Sequence, residues 1–74
     1  MSETRGRHLR KRSFSLAGHR TSVALEPAFW TVLEQAAKAR GVSLAGLVAQ
    51  LDAERAQDGT PLASALRVWA LQYR

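Results

Sequence analysis

The sequence predicts a mostly α-helical domain that begins with a short β-ribbon and pairs with a second copy of itself. Polar and apolar residues alternate within residues 12–25, which is typical of half-buried strands. Apolar residues then recur at helical spacing in three segments. With 74 residues and no cysteine, the chain has a small core and no disulfide cross-link, so we expect a second chain to supply additional stability.

The first element is a strand or a hairpin over residues 12–25. The residues alternate from Arg12 to Leu16, and Ala17-Gly18 is suited to turn the chain before a second alternation begins. A lone strand or hairpin has unpaired edges and an uncovered apolar face. We therefore expect the strand to pair with its copy across a two-fold axis, which gives an intertwined homodimer with a two-stranded antiparallel ribbon.

Three helices follow the ribbon, and they are predicted over residues 27–40, 44–57 and 61–73. Pro27 fits the first turn of the first helix, and Gly41 fits its C-terminal stop. Ser43 is the expected N-cap of the second helix. Asp58-Gly59 ends that helix, and Thr60-Pro61 is expected to cap and start the third.

The helical stripes and the inward strand residues predict which side chains are buried. Each stripe recurs at three- and four-residue intervals, so it lies on one face of its helix. We expect these faces and the inward face of the ribbon to meet in the core of the dimer. The residues assigned to that core are Val23, Leu25, Phe29, Leu33, Leu47, Val48 and Leu51.

The excess positive charge lies at the N-terminal end. Residues 1–20 contain six Lys or Arg against one Glu, whereas residues 21–74 contain five of each sign. Residues 1–11 have no hydrophobic period and are expected to form a flexible basic arm that precedes the domain at residues 12–74. A neutral body with a basic end indicates a polyanionic partner. The side chains expected to contact its phosphates are Arg10, Lys11 and Arg12.

No run of the sequence is long and apolar enough to span a membrane. The longest uncharged stretch, residues 41–51, is about half of the roughly 20 residues that a bilayer requires. A cytoplasmic protein is therefore the expectation. Two alternatives stay open for the Arg-rich start, namely an organelle transit peptide and an attraction to anionic membranes.

The ionisable residues do not predict a catalytic or a metal site. His8 lies in the arm and His19 lies beside the turn. The two carboxylates closest to each other in the sequence, Asp52 and Glu54, point to different sides of a helix. These groups give neither a nucleophile with its base nor a recognisable metal-ligand spacing. We expect a protein that is not an enzyme and that uses no metal or cofactor.

The outward face of the ribbon is suited to double-stranded DNA. A two-stranded antiparallel ribbon fits the major groove, where base edges present distinct donors and acceptors. Strand alternation places Arg20, Ser22 and Ala24 outward. Arg20 can bind guanine O6 and N7, Ser22 can donate or accept, and Ala24 can touch a thymine methyl. His19 is a candidate phosphate contact. The plainer interpretation is that Arg20 is an exposed charge that discourages edge aggregation.

A family resemblance is carried by the run from Arg20 to Pro27, a helix ending at Gly41, and Val42-Ser43-Leu44 before a second helix. This pattern resembles the ribbon-helix-helix DNA-binding proteins of the Arc and MetJ type. With the third helix it is similar to a small bacterial subfamily of them. The resemblance implies that the outward strand residues read bases and that amides at the start of the second helix hold a phosphate. Those amides lie around Ser43, Leu44 and Ala45.

The resulting hypothesis is a homodimeric DNA-binding protein that regulates transcription. The alternative is a dimerisation or adaptor module of the same fold that binds a protein partner, in the manner of an antitoxin. In that case the third helix, with Leu66, Trp69 and Tyr73, would provide the docking surface. An exposed apolar patch at these residues would favour the alternative.

Overall fold

The chain folds as an antiparallel β-hairpin followed by three helices. The computed structural model describes residues 8–73. The elements are β1 (Arg10–Leu16), β2 (His19–Leu25), α1 (Pro27–Arg40), α2 (Leu44–Arg55) and α3 (Leu62–Gln72). The predicted fold class, mostly helical with a short β-ribbon and a third C-terminal helix, is confirmed.

The two strands pair with each other within one chain. Their register runs from Arg10 opposite Leu25 to Leu16 opposite His19. Ala17 and Gly18 connect them with φ values of 52° and 82°, and positive φ at both central residues is what a two-residue type I′ hairpin turn requires. Of the two alternatives for residues 12–25, a strand or a hairpin, the structure therefore has the hairpin, and each strand finds a pairing partner in its own chain. The homodimer stays a prediction.

Several boundaries differ from those that the sequence indicates. β1 begins at Arg10 rather than at residue 12, because pairing with β2 extends the strand. Arg10 and Lys11 consequently belong to the hairpin and not to the arm, whose residues 1–7 lie outside the described part of the chain. α1 spans the range that Pro27 and Gly41 indicate, whereas α2 ends at Arg55 and α3 is one residue shorter at each end.

The link between α1 and α2 has the two caps that its sequence indicates. Gly41 has a φ of 73°, and the N–H groups of Gly41 and Val42 donate to the carbonyls of Lys38 and Ala37 at 3.1 and 3.0 Å. This is the Schellman arrangement that satisfies the last carbonyls of a helix. Ser43 Oγ accepts from the N–H of Gly46 at 2.9 Å and so caps α2.

The start of α3 differs from the expected capping. The N-cap position is Pro61, and no side chain caps the helix. Thr60 instead donates its N–H to Asp58 Oδ1 at 3.0 Å and accepts from Arg55 Nη1 at 3.1 Å through its carbonyl. Thr60 therefore closes the α2–α3 loop and does not cap α3.

The core lies between the inward face of the hairpin and the three helices. α2 packs against β1, α3 packs against β2, and α1 contacts both α2 and α3. Six of the seven residues assigned to a dimer core are buried in the single chain, and Phe29 is half-buried against them. Their burial is complete without a second chain. The six are Val23, Leu25, Leu33, Leu47, Val48 and Leu51.

Candidate nucleic-acid interface

One face of the hairpin points away from the helices, and we call it the outer face. Strand alternation and the pairing register place three cross-strand pairs on it. All six side chains are exposed except that of Ala24, which is half-buried. The pairs are Lys11 with Ala24, Ser13 with Ser22, and Ser15 with Arg20.

The outer face is polar and positively charged. It carries the two cations Lys11 and Arg20 and no carboxylate. At its centre, Ser13 Oγ and Ser22 Oγ lie 3.1 Å apart and share a hydrogen bond. Both hydroxyls keep free donor or acceptor capacity toward solvent. The face can therefore offer hydrogen bonds and positive charge to an anionic partner.

The opposite face of the hairpin holds the remaining basic residues of β1. The Arg12 guanidinium pairs with Glu34 of α1 at 2.6 Å and stacks 5.2 Å from the ring centre of Trp30. Trp30 Nε1 donates to the carbonyl of Arg10 at 2.8 Å. Arg12, which the sequence placed among the phosphate contacts, is thus directed at α1 rather than at the outer face.

The other predicted phosphate contacts of the hairpin divide in the same way. Arg10 alternates with Lys11 and so is directed to the helix side, although its side chain is exposed. His19 pairs with Leu16 beside the turn, on the same side as Val23, and it too is exposed. Among these predicted phosphate contacts, Lys11 shares the outer face with Arg20 and Ser22.

The N-terminus of α2 presents amides that have no helical acceptor. The first intrahelical hydrogen bond runs from the Leu47 N–H to the Ser43 carbonyl at 3.0 Å. The Ser43 hydroxyl accepts a hydrogen bond from the N–H of Gly46. The N–H groups of Leu44 and Ala45 precede these bonds and point out of the helix end. Ser43 and Ala45 are exposed and Leu44 is half-buried, so an anion can approach this end.

Two residues of the outer face, Ser13 and Ser15, were missed as candidate DNA contacts. Their polar alternation with Phe14 was visible in the sequence, but their place beside Ser22 and Arg20 depends on the register. A two-residue turn at Ala17-Gly18 sets that register, because it pairs Leu16 with His19. Because the φ values of that turn fix the register, alternation alone did not place Ser13 and Ser15 beside Ser22 and Arg20.

An ion pair between Arg67 of α3 and Glu26, the residue between the hairpin and α1, connects α3 to the rest of the fold. Arg67 Nε donates to Glu26 Oε1 at 3.0 Å, and its guanidinium lies 6.0 Å from the Phe29 ring centre. The pKa of Glu26 lies below its ordinary value of 4.5. The larger cause is a hydrogen bond from the backbone of Glu26 itself, and the second is the hydrogen bond from the Arg67 side chain. In the α2–α3 loop, hydrogen bonds from the backbone and the hydroxyl of Thr60 lower the pKa of Asp58.

The side chains that would form a docking surface on α3 are largely covered. Leu66 is fully buried. Trp69 stacks on Tyr73 with ring centres 5.2 Å apart, and Arg40 lies over the Trp69 ring at 5.2 Å. The exposed apolar residues of the helix are instead Val68 and Leu71, which are 52% and 68% exposed.

Membrane-spanning segments and metal centres are the other classes of site that residues 8–73 could hold. No helix in this range has the length and apolar character needed to cross a membrane. Within the same range, no group of three or more His, Asp or Glu side chains is placed to hold a metal ion. The outer face and the start of α2 are the positions that fit an anionic partner best.

Comparisons with known proteins agree with this architecture. No curated protein matches the chain. A solved structure, that of an uncharacterized protein from Bordetella pertussis Tohama I, is similar, with 36% sequence identity and a TM-score of 0.83. The match covers 95% of this chain and 58% of that one, so the chain spans little more than half the length of this relative. The ribbon-helix-helix domain family, whose members commonly bind DNA and usually do so as dimers, matches residues 9–74. The chain therefore belongs to the ribbon-helix-helix domain family.

Proposed function

We propose that this protein binds double-stranded DNA sequence-specifically through the outer face of its hairpin and regulates transcription as a cytoplasmic homodimer, without a cofactor or a catalytic step. The observation that carries the proposal is the composition of the outer face. It is a two-stranded antiparallel ribbon whose exposed side chains are polar or basic and include no carboxylate. A ribbon of this kind has the dimensions and the hydrogen-bonding groups to read the major groove.

Sequence preference would come from the side chains that reach base edges. Arg20 can grip guanine O6 and N7 with two parallel hydrogen bonds. Ser22, at the centre of the face, can donate to or accept from a base. Ala24 is half-buried beside Lys11, and it can only contact a thymine methyl or leave space for one.

Affinity would come from contacts to the phosphate backbone. Lys11 lies at the open end of the outer face, and Arg10 and His19 are exposed at opposite ends of the hairpin. The open amides of Leu44 and Ala45 add a helix N-terminus, where the backbone dipoles favour an anion. Such contacts act on every sequence and weaken as salt rises.

Selection of bound duplexes from a random pool at physiological salt tests this proposal. We expect enrichment of a short motif with two-fold symmetry, because a symmetric dimer presents the same reading face twice. A motif without symmetry would support DNA reading and contradict the homodimer. A pool that stays random after repeated rounds would contradict sequence-specific binding.

A second candidate function is that of an adaptor for a protein partner, and the exposure of Val68 and Leu71 on α3 favours it. Two exposed apolar side chains three residues apart lie on one helix face. If a partner docks there, Leu71→Asp abolishes its copurification, while Lys38→Asp on the exposed side of α1 does not. Copurification that survives Leu71→Asp would exclude this face.

A further inference from the structure

β2 keeps an open edge in the hairpin. The two-residue turn sets the His19 N–H toward the Leu16 carbonyl, and the backbone groups of β2 alternate in direction from that pair. Those of Arg20, Ser22 and Ala24 consequently face away from β1. No other strand lies beside them in the described part of the chain, so a strand of a second chain can pair along this edge.

The edge of β1 is less suited to pair with a copy of itself. β1 carries the three cations Arg10, Lys11 and Arg12, whereas β2 carries only Arg20. Two copies of β1 side by side would bring all of these cations and their copies together, and like charges on neighbouring strands repel. Lysine on an edge strand is also a common protection against further pairing. The dimer of the proposed function therefore joins its two chains along β2.

The open residues of β2 also select a register for this pairing. The register that uses all three places Ser22 opposite its copy and Arg20 opposite the partner's Ala24. Sliding one strand by two residues leaves an open residue of each chain unpaired. Sliding it by four in one direction sets Arg20 opposite its own copy, where like charges repel. The sheet of the dimer then has the strand order β1–β2–β2–β1, with the two-fold axis at Ser22.

This four-stranded sheet is wider than the major groove. Neighbouring strands lie about 4.8 Å apart, so the two β1 backbones are about 14 Å apart. The major groove is about 12 Å wide. The two β2 strands fit between the walls of the groove, and the two β1 strands come to lie over those walls, which are lined by phosphates. The outer face of each hairpin is thereby divided between the groove and its wall.

We infer that β1 binds the phosphates along the walls of the major groove through Lys11, Ser13 and Ser15, while β2 reads the bases. This inference rests on the proposed DNA binding by a homodimer and assigns β1 a part in it. All three side chains are exposed on the outer face, and each can donate a hydrogen bond to a phosphate oxygen. β1 places no carboxylate on this face that would repel a phosphate.

Ser13 is placed to connect the two functions of the face. Its Oγ lies 3.1 Å from Ser22 Oγ, and either hydroxyl can be the donor. When Ser22 donates to Ser13, the Ser13 proton is free for a phosphate, and Ser22 can still accept from a base. A phosphate contact at the wall and a base contact in the groove are thus made by two hydroxyls that orient each other.

Cysteine cross-linking tests the strand order. The chain has no cysteine, so Ser22→Cys places a single thiol at the expected two-fold axis, and Ser13→Cys places one on the outer strand as its matched control. Opposite Cα atoms of a hydrogen-bonded antiparallel pair are about 5.5 Å apart, within the range that a disulfide spans. We expect Ser22→Cys to run as a covalent dimer on a non-reducing gel and Ser13→Cys to run as a single chain. A dimer from Ser13→Cys, or from neither variant, would overturn the strand order.

The salt dependence of DNA affinity tests the role of Lys11. We expect Lys11→Gln to weaken binding to a selected and to a scrambled duplex by the same factor. The slope of log affinity against log salt should become shallower by about one for each chain, because each lost phosphate contact leaves counterions in place. Lys38→Gln, which removes an exposed cation from α1, is the matched control and leaves the slope unchanged. An unchanged slope in Lys11→Gln, or a changed preference between the duplexes, would overturn the inference.

The double variant Ser13→Ala/Ser15→Ala tests the hydroxyls of β1. We expect it to weaken binding to both duplexes about fivefold or more, with an unchanged salt slope because no charge is lost. Ser64→Ala removes an exposed hydroxyl of α3 as the control, and melting curves show that each variant is folded. A loss confined to the selected duplex would show that β1 reads bases, and full affinity for both would show that β1 does not contact DNA. A failure to select any duplex would instead overturn the proposed function itself.

Discussion

Lys11 and Arg12 are neighbours in β1 but serve different interactions. Lys11 is exposed on the outer face, whereas Arg12 is half-buried between Glu34 and Trp30. Successive side chains of a strand point to opposite faces, so a run of basic residues divides between the two. The positive charge that the sequence shows as one cluster therefore provides both a candidate DNA contact and an anchor between the hairpin and α1.

Ala17 is the residue where the backbone of the hairpin is least suited to its side chain. Its φ of 52° lies in the left-handed region, which costs a residue with a Cβ about 1 to 2 kcal/mol. We predict that Ala17→Gly raises the free energy of unfolding by about 0.5 to 1 kcal/mol, since glycine adopts this conformation freely but loses more entropy on folding. Urea denaturation measures the change.

The matched control for this prediction is Ala49→Gly, at an exposed position within α2. There the same substitution should lower the free energy of unfolding by about 1 kcal/mol, because the helical backbone gains nothing from glycine. Changes of the same sign at both positions would contradict strain at Ala17.

At the level of the elements, Ser43 combines a structural role with a proposed binding role, and these can be separated. Ser43→Ala removes the cap on Gly46 and should cost about 1 kcal/mol of stability. Ser43→Asp keeps a capping oxygen and is favoured by the helix dipole, so stability should stay within about 0.5 kcal/mol of the original. The new carboxylate would repel a phosphate at the open amides of Leu44 and Ala45.

DNA affinity and melting temperature, measured together, distinguish the two roles of Ser43. We predict that Ser43→Asp weakens binding to selected and scrambled duplexes equally, by about 1 kcal/mol for a charge pair near water. Ser43→Ala should weaken binding less, despite its lower stability. Unchanged binding by Ser43→Asp would leave Ser43 as a helix cap alone.

The predictability of each element depended on whether its determinants were local. α1 has the bounds that Pro27 and Gly41 indicate, because a proline at the start and a left-handed glycine after the end act within one helical turn. β1 extends to Arg10 because Leu25 pairs with it, which is a contact fifteen residues away. The α2 helix stops at Arg55, whose side chain binds Asp52 and the carbonyl of Thr60.

The candidate site shows the same division. Arg20, Ser22 and Ala24 were placed on one face by alternation alone, and the register places them there. The ion pair of Arg12 is formed with Glu34, twenty-two residues away, and no period of the sequence reveals a partner at that separation. The pairing of β1 with β2 depended on the conformation of Ala17-Gly18. These two residues are compatible with a hairpin turn or with a longer loop, and their φ values decide for the hairpin turn.

At the level of the whole molecule, the stability of the fold should depend on acidic pH through Glu26 and Asp58. Both have a pKa that folding lowers, so the folded chain favours their charged forms. Their stabilisation is complete above the ordinary values of 4.5 and 3.8 and is lost as the pH falls through the lowered ones. We predict that the free energy of unfolding decreases below about pH 4.5.

Urea denaturation at several pH values from about 2.5 to about 7 checks the prediction, because this range covers the pKa values of both carboxyl groups. Glu26→Gln should lower stability at pH 7 and flatten the loss on acidification. Arg67→Gln should flatten it in part, since the backbone hydrogen bond of Glu26 remains. A pH dependence identical in Glu26→Gln and the original protein would show that Glu26 does not link acid to unfolding.

At the level of the whole molecule, we propose that the outer face of the hairpin reads double-stranded DNA. The most direct test of this proposal is the affinity of Arg20→Ala for a selected duplex and for a scrambled one, beside Lys38→Ala, which removes an exposed cation from α1. We predict that Arg20→Ala loses about 1 to 3 kcal/mol on the selected duplex and little on the scrambled one, while Lys38→Ala leaves the preference between the two unchanged. Equal losses by Arg20→Ala on both duplexes would contradict base reading by this face.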